Sequence, residues 1–495
     1  MFLGIDIGTS AVKALLIDAD SHTIAEADVP LTLSNPHPYW SEQNPDDWWA
    51  ATQTAMEQLR HHNPAALSAV RGIGLSGQMH GAVLLGDDDR PLRPAILWND
   101  GRATAECDDI ESLLPGLPDQ AGVVAMPGMT APKIMWLRKH EPDIFNTIRT
   151  VLLPKDYIRL CLTGEKITEM SDAAGTLWLD QRSRSWNLAA IAATGLEPGQ
   201  LPALAEGSDA TGIVRPELAT RWGMGASVIV AGGGGDAATG GIGVGAVTNG
   251  DGFISLGTSS QFFVATDRYR PRPKELLHSF AHAVPGRWFQ MAVLLNGASC
   301  LAWAAKMMGA TDIGDILRRT EHQHHHPSQV IFLPYLSGER TPHNDPHARG
   351  VFFGMGGDTR PETMIQAVLE GVGFALADAQ ACLKAADTIC PLPGVIGGGA
   401  RSRYWIQIIA DIMGSPLARY EGATKGPAFG AARLARLAVD REAIEDVCRT
   451  PQIEEIVTPD PDRHEAYLPR LQKFRRLYTA LRDEFQNQDS VTPHR

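Results

Sequence analysis

The feature that most constrains this chain is a short pattern that occurs twice, half a chain apart. Residues 4–17 read Gly-Ile-Asp-Ile-Gly-Thr-Ser-Ala-Val-Lys-Ala-Leu-Leu-Ile, and residues 253–264 read Phe-Ile-Ser-Leu-Gly-Thr-Ser-Ser-Gln-Phe-Phe-Val. Each copy has an apolar run, a turn of small hydroxyl residues and a second apolar run, which predicts a β-hairpin. The two turns lie 249 residues apart in a chain of 495 residues. That length predicts two large domains or three smaller ones.

Both turns have the composition of an anion-binding turn. Glycine lets the backbone approach a ligand closely, and threonine and serine place hydroxyls beside the turn amides. Two such turns, at residues 8–10 and 257–259, could hold a polyphosphate between them. A single copy is more often an ordinary surface hairpin, and the second copy favours the ligand-binding interpretation.

One acid distinguishes the first copy from the second. Asp6 stands where the second copy has Ser255. A carboxylate beside a phosphate-binding turn is unfavourable unless a cation lies between them, so Asp6 is a candidate Mg²⁺ ligand, directly or through water. The alternative is that Asp6 is a solvated acid at the edge of a strand.

A second acid follows a run of four glycines. Residues 228–231 predict a buried strand, residues 232–235 a turn, and Asp236 begins a helix of small residues. An acid at that position can cap the free amides of the helix. In the functional interpretation, the glycines clear space so that a substrate hydroxyl can reach the carboxylate. The G-x-G-x-x-G spacing of a dinucleotide-binding loop is absent from this stretch.

A third glycine turn, at residues 397–399, precedes a helix whose apolar face runs from Trp405 to Ile412 and which ends at Gly414. A strand, a glycine turn and a helix can accept the flat face of a nucleoside, and a plain packing turn explains the pattern equally well. Apolar residues at helical spacing in 365–376 and 471–485 predict further helices, which indicates an α/β second half.

Composition limits the partners and the compartment. The formal net charge of −13 argues against a nucleic-acid-binding surface. The six cysteines are scattered, with no C-x-x-C pair, which is typical of reduced thiols in a cytosolic protein. No apolar run is long enough for a membrane span, and the first residues lack the basic region of a signal peptide. These observations predict a cytoplasmic protein without membrane or nucleic-acid partners.

Taken together, these residues resemble the FGGY carbohydrate kinases, a family within the actin-like, Hsp70-like and hexokinase-like ATPases. Residues 126–136 are similar to the first signature of the family, and residues 350–370 are similar to the second. Three further stretches resemble the branch that phosphorylates ketoses: Ser-Gly-Gln-Met-His-Gly at 76–81, Ile-Leu-Trp-Asn-Asp-Gly-Arg at 96–102 and Leu-Ser-Gly-Glu-Arg-Thr-Pro-His at 336–343.

The resemblance implies an α/β fold of two actin-like (ribonuclease H-like) ATPase lobes with a cleft between them, each built on a five-stranded mixed sheet. It implies a sugar-binding lobe at residues 1–245, an ATP-binding lobe at 246–486 and a frayed tail at 487–495. It also implies ATP and Mg²⁺ as cofactors and D-xylulose as the substrate, converted to xylulose 5-phosphate. A kinase of another ketose or polyol, such as ribulose, and an actin- or Hsp70-like regulatory ATPase are the alternatives. The oligomeric state is left open, with a homodimer as a candidate.

By the same resemblance, Asp236 is the general base, Asp6 organises the metal, and both are candidate Mg²⁺ ligands. Met79 and His80 stand where the glycerol-phosphorylating branch would have Arg-Glu, which disfavours glycerol. The expected substrate-binding residues are Met79, His80, Trp98, Asn99 and Asp236. The expected nucleotide-binding residues are Gly8, Thr9, Ser10, Lys13, Gly257, Thr258, Ser259, Gly398, Gly399, Ala400 and Ser402.

A histidine-rich stretch at residues 322–326 is a second metal-site candidate. Mg²⁺ prefers oxygen ligands, and a loop ahead of the apolar run at 330–333 explains the stretch as well. We therefore expect a solvated loop there.

Overall fold

Two mixed β-sheets organise the chain in a computed structural model that describes residues 1–323, 326–421 and 426–486. The strands of the first half are β1 (Phe2–Ile7), β2 (Ala11–Ile17), β3 (Thr23–Pro30), β4 (Glu42–Gln43), β5 (Gly72–Gly77), β6 (Val83–Leu85), β7 (Ala95–Ile96), β8 (Thr150–Leu152), β9 (Ile167–Glu169), β10 (Leu179–Asp180), β11 (Ser185–Trp186), β12 (Ala203–Ala205), β13 (Ala210–Ile213), β14 (Ile229–Ala231) and β15 (Gly234–Gly235). The helices of that half are α1 (Pro45–His62), α2 (Pro64–Ser68), α3 (Thr104–Leu113), α4 (Leu117–Ala121), α5 (Thr130–His140), α6 (Pro142–Phe145), α7 (Pro154–Thr163), α8 (Met170–Ala173), α9 (Leu188–Thr194), α10 (Pro216–Trp222) and α11 (Asp236–Gly243).

The second half has fewer strands and longer helices. Its strands are β16 (Gly252–Leu256), β17 (Ser260–Thr266), β18 (His278–Ala281), β19 (Trp288–Leu294), β20 (Ile331–Leu333), β21 (Val351–Phe353), β22 (Gly394–Ile396), β23 (Leu417–Tyr420) and β24 (Ile453–Val457). Its helices are α12 (Ala298–Met307), α13 (Ile313–Gln323), α14 (Pro361–Ala385), α15 (Arg403–Met413), α16 (Pro427–Asp440), α17 (Ile444–Val447) and α18 (Pro461–Gln486).

The two large sheets repeat one topology. In the first sheet the central order is β3-β2-β1-β5-β14, and in the second it is β19-β17-β16-β22-β23. In both, the first three strands are antiparallel to their neighbours among the three. The last two strands run parallel to the third, which is β1 in the first sheet and β16 in the second. Each sheet has seven strands rather than the expected five, because β13 and β15 join the first and β18 and β24 join the second. The predicted α/β class and the two sheet-containing lobes are confirmed.

The duplicated pattern forms the hairpins that the sequence predicts. β1 pairs with β2 around the turn at residues 8–10, and β16 pairs with β17 around the turn at 257–259. All six residues of β1 are buried, as expected for a strand with neighbours on both sides and helices on its faces. The predicted helices are also confirmed, with α14 and α18 covering residues 365–376 and 471–485.

Helix α16 comes from the second half of the chain but packs on the first sheet. A Cβ atom on Gly4 would lie 1.8 Å from the carbonyl oxygen of Ala428, and one on Gly74 would lie 1.8 Å from that of Ala431. Glycine at these strand positions therefore lets the backbone of α16 approach the sheet. α11 and α16 also pack against each other, so two helices connect the halves. The domain boundary near residue 245 stays a prediction.

Some predictions fall outside the described residues. The loop expected at residues 322–326 is wrong for its first two residues, because His322 and Gln323 end α13, and residues 324 and 325 lie outside the described residues. The frayed tail at 487–495 lies wholly outside them. Within the described ranges, no helix has both the length and the apolar character needed to cross a membrane.

Candidate active site

The ends of three strands bring the predicted acids to one edge of the first sheet. Asp6 is near the end of β1, His80 follows β5, and Asp236 begins α11 directly after β15. β1 and β15 both run parallel to β5, with Asp6 opposite Ser76. The carboxyl ends of parallel strands meet at one edge, where open α/β sheets bind their ligands.

Asp6 and Asp236 are close enough for their charges to interact. Burial, followed by the negative charge of Asp6, raises the pKa of Asp236 to about 7. Burial also raises the pKa of Asp6 to about 6, although the Ser76 hydroxyl and the positive charge of Lys13 act in the opposite direction. Asp6 Oδ1 is buried without a hydrogen-bond partner among the described residues. The pair is therefore set up to share a proton or a cation.

Asp236 makes a helix-terminal hydrogen bond and keeps one oxygen available. Its Oδ1 accepts from the backbone amide of Ala237 at 2.8 Å. This bond corresponds to the capping role that the sequence suggests. In the described part of the chain no hydrogen bond engages Oδ2, so the capping role and a catalytic role are compatible.

The four glycines before Asp236 permit close packing within the protein. A Cβ atom on Gly233, which has a φ of 77°, would lie 2.1 Å from the carbonyl oxygen of Leu75. One on Gly235 would lie 2.8 Å from Met79 Cγ. These contacts give the glycines a packing role, and the expectation that they also clear space for a substrate stays a prediction. The glycines let the β14–α11 segment pack directly on β5 and on the Met79 side chain.

The ring of His80 has a defined orientation. Its Nδ1 lies 2.7 Å from the carbonyl oxygen of Gly175. Because a carbonyl only accepts, Nδ1 carries the hydrogen and Nε2 is an acceptor when the ring is neutral. Burial lowers the pKa of His80 to about 3, which keeps the ring neutral near pH 7. His80 can therefore accept a hydrogen bond from a sugar hydroxyl.

Hydrogen bonds connect Trp98 to the first phosphate turn. Trp98 Nε1 donates to Thr9 Oγ1 at 3.0 Å, and Thr9 Oγ1 donates to Gln78 Oε1 at 3.0 Å. Gln43 Nε2 donates to the carbonyl oxygen of Thr9 at 2.8 Å, and its Oε1 accepts from Gln78 Nε2 at 2.9 Å. The Thr9 hydroxyl is thus used inside the protein. The turn amides and the exposed Ser10 are the groups that a phosphate could meet.

Lys13 and Asn99 have different surroundings from those expected. Lys13 lies opposite Asp6 across the first hairpin and forms an exposed ion pair with Asp28, with Nζ 3.3 Å from Oδ2. Asn99 is exposed and lines a separate surface pocket of about 420 Å³ with residues 35–41. Direct contacts of Lys13 with phosphate and of Asn99 with sugar stay predictions.

A cavity of about 1000 Å³ lies in the second lobe at the second phosphate turn. It is lined by five of the residues predicted for the nucleotide: Gly257, Thr258, Gly398, Gly399 and Ser402. Ser259 and Ala400 are not among its lining residues. The Ser402 hydroxyl accepts from the Trp405 amide at 3.2 Å and so begins α15 at the cavity wall. The cavity is large enough for a nucleotide.

Sequence reasoning missed several residues around both sites. The nucleotide cavity is also lined by Ser299, Leu317, Arg318, Arg401 and Tyr404. Arg401 adjoins the glycine turn and could have been found from that pattern. Ser299 and Arg318 follow no local motif, because α12 and α13 approach the turn only in the folded chain. Gln78 lies in the 76–81 motif, directly before Met79, and this position could have indicated a role at the site.

Comparison with known proteins identifies the family. The models of the N-terminal and C-terminal domains of the FGGY family of carbohydrate kinases match residues 1–243 and 252–439. A xylulose kinase of Escherichia coli (strain K12) is 48% identical over 97% of this chain and 99% of its own length. A xylulose kinase of Klebsiella pneumoniae is 46% identical over the same shares.

A solved structure agrees with these relatives. A crystal structure described as a xyloylose kinase from Brucella ovis superposes with a TM-score of 0.94 at 47% identity, covering 97% of this chain and 99% of that one. The two repeated sheets are those of the actin-like ATPase fold that such kinases share. These matches show that the chain is a phosphotransferase enzyme, and they do not support the alternative of an actin- or Hsp70-like regulatory ATPase. The chain belongs to the FGGY family of carbohydrate kinases.

Proposed function

We propose that the protein transfers the γ-phosphoryl group of ATP to the 5-hydroxyl of D-xylulose, giving ADP and D-xylulose 5-phosphate. Relatives of 46–48% identity over nearly the whole chain are xylulose kinases. The observation on this chain that carries the proposal is the raised pKa of Asp236 beside Asp6 at the strand edge that also presents His80.

Asp236 acts as the general base. As the primary hydroxyl of the sugar attacks the γ-phosphorus, its proton passes to a carboxylate oxygen of Asp236, and the bond from the phosphorus to the leaving oxygen of ADP breaks. The base must be ionised, and a pKa of about 7 places that change at neutral pH. Because phosphoryl transfer has a loose transition state, the protein contributes mainly alignment and charge stabilisation.

The acidic pair fits a magnesium ion. Asp6 Oδ1 is buried without a partner among the described residues, and the neighbouring Asp236 carboxylate repels it when both are ionised. Carboxylate oxygens are ligands that Mg²⁺ prefers, so Asp6 and Asp236 would hold the ion directly or through water. When bound, the ion neutralises charge on the phosphates of ATP.

The remaining roles divide between the lobes. His80 and Met79 orient the sugar, with His80 Nε2 accepting from a hydroxyl. The turns at residues 8–10 and 257–259 donate backbone amides to the phosphates, and the cavity at residues 398–402 holds the adenosine. Lobe closure over the sugar would exclude water, which otherwise competes for the phosphoryl group.

A substrate panel tests the proposal. ADP release would be measured with D-xylulose, D-ribulose, L-ribulose and glycerol, and without sugar. We expect D-xylulose to give the highest kcat/KM and the sugar-free rate to be far lower. A higher kcat/KM with another sugar would overturn the xylulose assignment, while ATP turnover indifferent to every sugar would overturn the kinase proposal.

We also propose that the enzyme acts in the cytoplasm, which supplies ATP. All six cysteines are unpaired, as expected where thiols stay reduced. A homodimer stays a prediction.

A further inference from the structure

Lys133 lies in the stretch that resembles the first family signature, and the proposed chemistry gives it no role. It is on α5, and its side chain is completely buried. Its Nζ donates to the carbonyl oxygen of His80 at 2.9 Å and to that of Ile96 at 3.1 Å. A buried lysine amine is unfavourable unless it is hydrogen-bonded, and both bonds here go to backbone carbonyls.

The two carbonyls belong to the two segments that carry the expected sugar-binding residues. His80 is itself the expected sugar ligand, and its backbone is left-handed, with a φ of 69°. Such a conformation is unfavourable for a residue with a side chain and persists only when its surroundings hold it. Ile96 ends β7 two residues before Trp98. A single amine therefore joins the His80 turn to the Trp98 segment.

The donors and acceptors around the amine are matched. Burial lowers the pKa of Lys133 well below its usual range. Its two hydrogen bonds give one N–H donor to each carbonyl. Thr130, one turn earlier on α5, supplies a second donor to His80, with Oγ1 3.1 Å from the carbonyl oxygen. Among the described residues the Thr130 hydroxyl donates a hydrogen bond to the His80 turn alone, whereas the Lys133 amine donates to both segments.

We propose that Lys133 is a positioning residue for the sugar site, which fixes the His80 turn and the Trp98 segment relative to each other. The proposal rests on the proposed function only in taking these segments as the sugar-binding ones. Loss of the amine would let the His80 ring move from its contact with Gly175 O. Because Nε2 must meet a particular hydroxyl, displacement weakens sugar binding before it affects the nucleotide cavity in the other lobe.

The test compares three variants of the full-length protein. Lys133→Met removes the amine and keeps the length of the side chain, and Thr130→Val removes only the second donor to His80. Lys139→Met is the matched control, because Lys139 lies on the same helix with its side chain 62% exposed. For each variant, kcat and KM would be measured for the sugar that the unmodified protein phosphorylates best, and the Kd of ADP would be measured by calorimetry.

We expect Lys133→Met to raise the KM for sugar by about 10- to 100-fold, the effect of losing a hydrogen bond to a buried carbonyl, with kcat reduced less. Thr130→Val should raise that KM by about 2- to 5-fold. The Kd of ADP should stay within about twofold in both, and Lys139→Met should behave as the unmodified protein.

An unchanged sugar KM in a folded Lys133→Met protein would overturn the proposal, as would equal losses of sugar and ADP affinity, which indicate general destabilisation. If Lys133→Met does not fold, Thr130→Val decides, and an unchanged KM in that variant overturns the proposal. A failure of the proposed function is seen separately in the unmodified protein, which would then phosphorylate another sugar better than D-xylulose or phosphorylate none of them.

Discussion

Replacing Asp236 with asparagine separates the loss of a base from damage to the fold. Asparagine has the same size, and its Oδ1 can still accept from the Ala237 amide. It cannot take a proton from the sugar hydroxyl. General-base catalysis contributes about 10²- to 10⁴-fold, so we expect kcat to fall by that factor while the Kd of ADP stays nearly constant.

The same variant should be more stable than the unmodified protein, and the difference should grow with pH. The pKa of Asp236 in the folded protein is about 7, compared with an ordinary value of 3.8. Between these values the unfolded chain has released the proton and the folded chain retains it, so rising pH reduces the stability of the unmodified protein. At 1.36 kcal/mol per pH unit, the full effect above pH 7 is at most about 4 kcal/mol. At pH 5.5 it is about half of that.

Activity assays and thermal unfolding at pH 5.5 and pH 8 test both parts. We expect Asp236→Asn to have a kcat lower by about 10²- to 10⁴-fold and a higher Tm than the unmodified protein, with the larger gain in Tm at pH 8. Asp47→Asn is the matched control, because Asp47 is an exposed acid in the first turn of α1. It should change neither property. A near-normal kcat in Asp236→Asn, or a lower Tm at both pH values, would refute the reasoning.

Four further predictions follow from the same site. Asp6→Asn should raise the Mg²⁺ concentration needed for half-maximal rate by about tenfold or more, while the KM for sugar changes little. An unaltered Mg²⁺ dependence of the rate would contradict the metal role of Asp6. His80→Ala should lower kcat/KM for D-xylulose by about 10- to 10³-fold without changing the KM for ATP, and an equal loss for ATP would argue against a sugar contact. The kcat/KM of the unmodified protein should rise about tenfold per pH unit below pH 6 and level off above pH 7, since burial raises the pKa of the base Asp236 to about 7; a profile flat from pH 5 to 8 contradicts this assignment. Gln43→Glu places a carboxylate oxygen where the Gln43 amide donates to the Thr9 carbonyl, so we expect the protein to lose about 2–4 kcal/mol of stability and to have a higher KM for ATP. A normal Tm would show that this hydrogen bond contributes little to stability.

Local patterns predicted the parts of the molecule that depend on neighbouring residues. The two hairpins follow from apolar runs flanking a short turn, and the position of Asp236 at the start of α11 follows from the strand and glycines before it. The apolar face of α15 and its end at Gly414 follow from helical spacing and a C-terminal glycine. The resemblance to a family supplied the roles of the residues.

Contacts between distant segments were not predictable from such patterns. The Thr9 hydroxyl looked free to bind phosphate, but Trp98, 89 residues away, and Gln78 already engage it. The link from Lys133 to His80 depends on α5 lying against the segment that follows β5, which no local periodicity encodes. The packing of the glycine run against Leu75 and Met79 was likewise not predictable, because those residues approach it only in the folded chain.

The position of the phosphate on the product tests the central claim most directly. The protein would be incubated with Mg·ATP and ¹³C-labelled D-xylulose, and the product examined by ³¹P and ¹³C nuclear magnetic resonance. We predict one sugar phosphate per ADP, with ³¹P–¹³C coupling at C5 and C4, and formation of the same product by Asp236→Asn at a rate lower by about 10²- to 10⁴-fold. Inorganic phosphate as the only phosphorus product besides ADP, or a phosphate on C1, would contradict the account.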